Sequence, residues 1–175
     1  AANAAYTGLS YEAVVDANWT ANGFTGLTAW RIYADFSDPA DMLIAVFGSP
    51  ANPMTITSTD GMFHNDATFN SLTAPVDYTG SPFFLWSNQW DTYVTIGTTD
   101  NAGDATGLTP NFAAEVGNLA GDFTTDNASW YITPVDPQGI AGADGRMLLA
   151  QFVVAEGENV MGTINLQDGT GAQYF

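Results

Sequence analysis

The stretch Trp30-Arg31-Ile32-Tyr33-Ala34-Asp35-Phe36 decides which class of fold this chain can adopt. From Trp30 onward, every second residue is apolar, and the residues between them are polar or amphipathic. Because successive side chains of a strand point to opposite faces, this alternation predicts a β-strand with one face buried and the other in water.

The same period of two recurs along the chain, whereas the helical period of 3.6 is almost absent. The strand candidates besides the stretch above are residues 11–20, 42–47, 53–57, 83–86, 90–96, 129–133, 146–154 and 160–166. Residues 146–154 are apolar on both faces, which is typical of a central strand. Only residues 111–119 have the pattern of a short helix, and clusters of Gly, Pro, Asp and Ser separate the runs.

Eight to ten short strands without a long helix predict an all-β protein. The architecture that we expect is a two-sheet antiparallel β-sandwich, jelly-roll-like, with at most one short helix. No linker or internal repeat divides the sequence, so residues 1–175 are interpreted as a single domain.

Composition limits the partners. Nineteen acidic residues face two basic ones, giving a formal net charge of −17, and the chain has no cysteine. Such a surface repels nucleic acid and attracts cations.

No apolar run approaches the ~20 residues of a membrane span, so membrane insertion is not expected. The small residues of Ala1-Ala2-Asn3-Ala4-Ala5 resemble a mature N-terminus left by signal-peptide cleavage, which predicts a secreted protein at the cell surface or outside the cell.

Four segments carry a resemblance to a known group of proteins. They are residues 30–36 with Asp38-Pro39, residues 43–48, residues 90–97 and residues 139–151. Together they resemble an uncharacterised group of secreted β-rich domains of aquatic bacteria. The resemblance implies an extracellular location, and it brings no catalytic residues because no activity is established for that group.

Calcium is the metal that the loops would suit, because Ca²⁺ prefers several carboxylate and carbonyl oxygens on flexible loops. Residues 100–107 place oxygen donors around a glycine turn, although without the spacing of an EF-hand. The alternative is that Asp and Asn simply favour turns by bonding the nearby backbone. The candidate Ca²⁺ ligands, on three loops, are Asp100, Asn101, Asp104, Asp38, Asp41, Asp136 and Asp144.

Aromatic residues suggest a second kind of site, in which rings stack on sugar faces. Trp30 and Trp90 lie in alternating runs and are expected in the core. Trp19, Trp86 and Trp130 lie near strand ends beside Asn, Ser and Thr, and are the candidates for a surface sugar-binding platform.

The residues for catalysis are sparse. His64 is the only imidazole and no Gly-x-Ser-x-Gly motif is present, so we interpret His64 as structural or exposed. A glycoside hydrolase, which needs two carboxyl groups close together, is the enzymatic alternative. Among nineteen acidic residues, however, some close pairs arise by chance. Arg31 and Arg146, each near an Asp, are expected to form structural ion pairs or to lie over aromatic rings.

These features favour a non-catalytic, secreted structural or interaction protein. We expect a homo-oligomer or polymer, a subunit of a filament, sheath or layer whose association depends on cations. A terminal strand, from residues 4–15 or 160–175, is a candidate for donation to the open edge of a neighbouring copy. The alternative is a carbohydrate-binding module with glycans as partners. Asn18 and Asn127 stand in glycosylation sequons whose use the sequence does not decide.

Overall fold

The computed structural model describes residues 5–14, 25–65, 71–75 and 91–175. One α-helix, α1 (Phe112–Val116), and one 3₁₀ helix (Pro137–Gly139) lie in these segments. The strands in the same segments are β1 (Tyr6–Val14), β2 (Leu27–Phe36), β3 (Leu43–Phe47), β4 (Met54–Ser58), β5 (Tyr93–Val94), β6 (Gly107–Leu108), β7 (Phe123–Thr125), β8 (Ser129–Tyr131), β9 (Arg146–Ala155), β10 (Val160–Thr163), β11 (Asn165–Asp168) and β12 (Gln173–Tyr174).

The longest strands form a four-stranded antiparallel sheet in the order β1-β2-β9-β5. In β2, Ala34 and Phe36 are buried, and the half-buried Trp30 and Ile32 pack against the core. β9 lies between β2 and β5, and residues 147–154 are buried on both of its faces. The alternation of β2 and the continuous apolar run of β9 are therefore both explained by their places in this sheet.

The remaining strands form a three-stranded sheet, β10-β4-β7, and a five-stranded sheet, β12-β11-β3-β8-β6. These two sheets are linked directly, because β3 and β4, β7 and β8, and β10 and β11 each follow one another along the chain. Asn165 fixes one crossing: its side-chain amide donates to the carbonyl oxygens of Phe47 and Asn52 at 2.8 and 2.7 Å. Side chains of all three sheets and of α1 meet in one apolar cluster that includes Ile56, Trp130 and Phe152.

The structure confirms the all-β class and the short helix, but the described strands form three sheets, so the two-sheet jelly-roll is not confirmed. The runs at 42–47, 53–57, 129–133 and 146–154 correspond to β3, β4, β8 and β9, whereas 160–166 is divided into β10 and β11. The run at 83–86 lies outside the described residues. The helix expected over 111–119 is limited to α1, which ends at Gly117 with a φ of 63°.

Asp168 organises the hairpin between β11 and β12. Its fully buried carboxylate accepts hydrogen bonds from the Thr170 amide at 2.8 Å, the Thr170 hydroxyl at 2.7 Å, the Ala172 amide at 3.0 Å and the Tyr174 hydroxyl at 2.7 Å. Burial alone would raise the pKa of Asp168, but these hydrogen bonds outweigh it and lower that pKa. The same contact from Asp168, together with burial, raises the pKa of Tyr174.

We expect Asp168→Asn to lower the free energy of unfolding at pH 7 by about 2 kcal/mol, because hydrogen bonds to a buried charge are lost. A carboxyl whose folded pKa is depressed stabilises the fold above its unfolded pKa of about 3.9, and this contribution disappears as the pH falls through the folded pKa. The difference in the free energy of unfolding between wild type and Asp168→Asn should therefore narrow below about pH 4. Urea unfolding at neutral and acidic pH measures it, with the exposed Asp126→Asn as control; an unchanged gap would contradict this role.

Candidate functional site

The candidate site begins with β1, the one long edge strand among the described residues. The other strands at sheet edges, β5, β6, β7, β10 and β12, have two to four residues, whereas β1 has nine. Proteins usually protect long edges with lysine, proline, inward-pointing charges or bulges, because an unpaired edge is a template for another chain. β1 contains no Lys or Pro and one charged residue, Glu12, and its bulge lies at its first residues, between Tyr6 and Gly8.

Large apolar side chains are exposed beside this edge. Leu9 and Tyr11 lie on the face of β1 that continues the core face of β2, yet they are 47% and 70% exposed. Met161 on β10 is 53% exposed, and Phe175 after β12 is 69% exposed. These four are half of the exposed large hydrophobic residues in the part of the chain that the structure describes. Their clustering makes this apolar patch a candidate interaction surface.

A groove connects these side chains. It consists of three adjoining hollows along β1, of about 260, 160 and 170 Å³. The middle hollow shares Tyr11 and Val160 with the first, and Leu9 and Ile164 with the third. We call this row of hollows, between β1 on one side and residues 160–164 on the other, the β1 groove. Its floor reaches the core at Trp130 and Phe152, so the groove is the open side of the core itself.

Gly162 keeps the second wall of the groove in place. On β10 it faces Ile56 of β4, and a Cβ added there would lie 2.1 Å from the Thr55 carbonyl oxygen. Any larger residue would force β10 away from β4. The glycine therefore allows close pairing of β10 and leaves the groove without a side chain at that point.

Part of the opposite face of the sheet is polar and holds Arg146 in a network. Its guanidinium carbon lies 3.8 Å from the centre of the Tyr33 ring, and its nitrogens lie 3.6 Å from carboxylate oxygens of Glu12 and Asp35. Arg146 also donates to the Ser10 hydroxyl, which donates to Asp35 at 2.8 Å. The prediction of an ion pair and an aromatic contact is thus confirmed for Arg146.

Tyr33 and Arg31 complete this face. The Tyr33 hydroxyl donates to Glu12 at 2.6 Å, and burial together with this bond raises the pKa of Tyr33 to about 12. Arg31 donates to the side-chain oxygen of Gln151 at 3.0 Å. Glu12 and Asp35 are thus occupied as partners of Arg146 and Tyr33, and neither lines the β1 groove. The network braces β1 against β2 and β9.

The charge of this sheet differs from that of the chain. Its four strands carry two acidic residues, Glu12 and Asp35, and the chain's two basic side chains, Arg31 and Arg146. β4 and β10, on the other side of the groove, carry no charged residue. Among the strands that line the groove outside this sheet, only β11 carries a charged residue, the buried Asp168, so most of the chain's acidic residues lie away from the groove.

The interpretation of Trp130 as a surface ring is wrong. Trp130 is 1% exposed at the centre of β8, where its indole N–H donates to the Thr95 carbonyl at 3.0 Å and its ring packs edge-on against Phe112. Its polar neighbours in sequence belong to the other face of the strand. Trp19 and Trp86, the other two sugar-binding candidates, lie outside the described residues, as does Trp90.

The candidate calcium loops come together in pairs. Residues 38–41 meet residues 141–142 through backbone bonds from Ala141 to Asp41 and from Gly142 to Pro39, at 2.9 and 3.1 Å. The loop at 100–106 meets the 3₁₀ helix through Gln138, whose amide donates to Asp104 at 2.9 Å.

Within these loops the carboxylates bond the backbone. Each of five Asp residues accepts from the amide two positions later, as expected for the turn alternative; they are Asp38, Asp100, Asp104, Asp136 and Asp144. Asp41 instead accepts from the amides of Asp38 and Ala5, and Asn101 is an exposed turn residue. Among the described residues, no three His, Cys, Asp or Glu side chains form a group arranged to hold a metal ion.

Both proposed donor segments belong to the chain's own sheets. β1 pairs with β2, and β10, β11 and β12 pair with β4, with β3 and with β11 respectively. The long edge of β1 is therefore a feature of the described residues that the local sequence did not predict. The signal was the alternation of Leu9 and Tyr11 with Ser10 and Glu12, which extends the strand expected at 11–20 towards the N-terminus.

Two smaller expectations concern single residues. The His64 backbone is fixed on both sides, since its amide donates to Val153 at 2.7 Å and its carbonyl accepts from the Thr92 hydroxyl at 2.7 Å. Asn127 is exposed in the turn between β7 and β8, while Asn18 lies outside the described residues.

No protein-family model, curated protein or solved structure matches this chain. The described part of the chain contains no helix with the length and apolar character needed to span a membrane.

Proposed function

We propose that this chain is a non-catalytic, secreted structural or interaction protein, a subunit that associates with copies of itself in an extracellular filament, sheath or layer. The observation that supports it is the β1 edge, which is long, nearly uncharged and bordered by exposed apolar side chains. The resemblance of four segments to secreted β-rich domains supports the extracellular location.

The fold proposed with this function has two layers. The chain passes directly between the three-stranded and the five-stranded sheet three times. In the proposed fold these two sheets form one interrupted layer that faces the four-stranded sheet. The open side of this sandwich is the β1 groove. An unprotected edge strand is a template on which another chain can pair, as a repeating subunit requires.

Charge controls the association that we propose. Copies that each carry −17 repel at low ionic strength, where the Debye length is about 30 Å at 0.01 M salt. At about 1 M salt it falls to about 3 Å, and the apolar contact then dominates. Ca²⁺ would act in the same direction, by screening or by binding the acidic loops at 38–41, 100–106 and 136–144.

Sedimentation velocity across ionic strength tests the proposed function. We expect an 18.5 kDa monomer in about 10 mM buffer with a chelator, and multiples of that mass in about 1 M NaCl or after addition of Ca²⁺. Mg²⁺ at the same ionic strength separates screening from a specific calcium site, because a site selects by ion size. A monomer under every condition would remove self-association and with it the proposed function.

A further inference from the structure

We infer that residues 170–175, the outer part of the β11–β12 hairpin, form a strap that the buried Asp168 carboxylate holds closed and that acid releases. We call these six residues the strap. Its release is local, because β11, which carries Asp168, stays paired with β3 when the strap leaves. The inference goes beyond the proposed function, since it concerns one copy of the chain and holds whether or not copies associate.

Hydrogen bonds from the strap converge on the Asp168 carboxylate. Two come from the backbone amides of Thr170 and Ala172, and two come from the hydroxyls of Thr170 and Tyr174. Three of the four meet at Oδ1, and the Tyr174 hydroxyl bonds Oδ2. Because Asp168 is 0% exposed, these donors rather than water stabilise its charge.

The strap is otherwise weakly attached. β12 lies at the edge of the five-stranded sheet and pairs with β11 at two positions. Gln173 is exposed, and Phe175 is 69% exposed. Ring contacts join Tyr174 to Tyr6 at 4.9 Å and Phe175 to Phe47 at 6.3 Å between centroids. Edge segments with few buried contacts are the parts of a fold that open locally.

Protonation of Asp168 weakens the attachment, because a neutral carboxyl group accepts hydrogen bonds less strongly than a carboxylate. Burial alone would raise the pKa of Asp168, but the hydrogen bonds from the strap outweigh it and lower that pKa. The closed strap therefore favours the ionised form, and protonation favours the open strap. This stabilisation is complete at neutral pH and is lost as the pH falls below about 3.9 and through the folded pKa.

The titratable groups that face this contact are Tyr6 on β1 and Asp41 on the loop before β3, while β3 itself carries no charged residue. Burial raises the pKa of Tyr6, and the bond to Asp168 raises the pKa of Tyr174, so both tyrosines stay neutral in acid. Asp41 accepts from backbone amides outside the strap. Asp168 is therefore the acidic group that acts on the strap directly.

Release of the strap uncovers apolar surface. Tyr174 and Phe175 line the hollow of about 170 Å³ together with Tyr6, Leu9 and Leu166. Leu166, which is 1% exposed, loses a neighbour when the strap leaves. The chain also approaches its isoelectric point of about 4.1 as the pH falls. Acid therefore exposes apolar surface in the range where repulsion between copies is weakest.

Hydrogen exchange of single backbone amides, followed by NMR, tests this inference. The Asp168 amide donates to the Ala172 carbonyl at 3.0 Å, so its protection reports on the strap and not on the carboxylate. The Ile132 amide donates to the Ile44 carbonyl at 2.9 Å and reports on the rest of the fold. From about pH 6 to about pH 3, we expect the protection factor of the Asp168 amide to fall on the order of ten-fold or more, while that of Ile132 is unchanged.

Three variants extend the test at pH 7. Asp168→Asn removes the charge and should reproduce the low protection of the acid form at this amide. Tyr174→Phe keeps the ring and removes one donor, so its protection should lie between those of wild type and Asp168→Asn. Asp41→Asn is the matched control, since Asp41 is also a buried carboxylate that accepts two amides, and it should leave the strap protected.

Two results would overturn the inference. Equal protection of the Asp168 amide at both pH values would mean that the carboxylate does not hold the strap. Parallel loss of protection at Asp168 and Ile132 would mean that the whole domain opens and that no separate strap exists. Neither result bears on self-association, which sedimentation measures, so failure of this inference is distinguishable from failure of the proposed function.

Discussion

Replacing Trp130 with alanine is expected to lower the free energy of unfolding by about 3–5 kcal/mol. Trp130 is 1% exposed in the apolar cluster that joins the three sheets, and its ring packs edge-on against Phe112 at 6.1 Å between centroids. Truncation leaves a cavity between β8 and α1, and it also leaves the Thr95 carbonyl without the indole donor. Since domains are stable by only about 5–15 kcal/mol, this change removes much of the total.

Trp130→Phe is the control for this experiment, because it retains a ring and loses the indole N–H, so its cost should be smaller, about 1–2 kcal/mol. Urea unfolding followed by circular dichroism measures both variants. A cost below about 0.5 kcal/mol for Trp130→Ala would mean that the side chain is at the surface, as a sugar-binding platform requires.

Local alternation is sufficient to predict the strands whose two faces differ. Residues 30–36 fall within β2 because apolar residues recur there at every second position, and residues 146–154 fall within β9 because burial on both faces gives a continuous apolar run. β5, β6 and β12 have two residues each, which is too short for any period to be visible. Their pairing is decided by neighbouring strands instead.

Trp130 shows that a correctly predicted strand can still lead to a wrong prediction of a sugar-binding residue. Trp130 and Ile132 are buried and alternate with Ser129, Tyr131 and Thr133, so the period of two is present in the sequence. The polar neighbours do not surround the ring, because they belong to the opposite face of the strand. Side-chain direction, rather than composition, determines its burial.

The β1 groove could not be predicted from local sequence, because its two walls are about 150 positions apart. The groove depends on which strands lie at the edges of the sheets. The order of the strands in a sheet does not affect the hydrophobic periodicity of the sequence. In the sequence, the absence of lysine is a property of the whole chain. Its structural consequence, an edge strand without the usual protecting residue, appears only once β1 is placed at the edge.

Tyr11→Lys is expected to weaken association on the order of ten-fold or more. Buried Tyr contacts at the centre of an interface commonly contribute above about 1.4 kcal/mol, which corresponds to a ten-fold change in affinity. A lysine on the edge strand also opposes strand pairing. Because Tyr11 is 70% exposed, the monomer should lose little beyond its edge-on contact with Trp30, about 0.5–1.5 kcal/mol.

This substitution separates two causes of association. Adding one positive charge reduces the net charge from −17 to −16, so bulk electrostatics alone predicts slightly stronger association. Docking at the β1 groove predicts the opposite sign. Met62→Lys is the matched control, since Met62 is 65% exposed and lines none of the three hollows, yet its replacement makes the same change of charge.

The most direct test is the sedimentation velocity of wild type, Tyr11→Lys and Met62→Lys, side by side at one high ionic strength. We predict that wild type and Met62→Lys form assemblies of the same mass, while Tyr11→Lys sediments as an 18.5 kDa monomer. Association of Tyr11→Lys as strong as that of Met62→Lys would contradict assembly through the edge of β1.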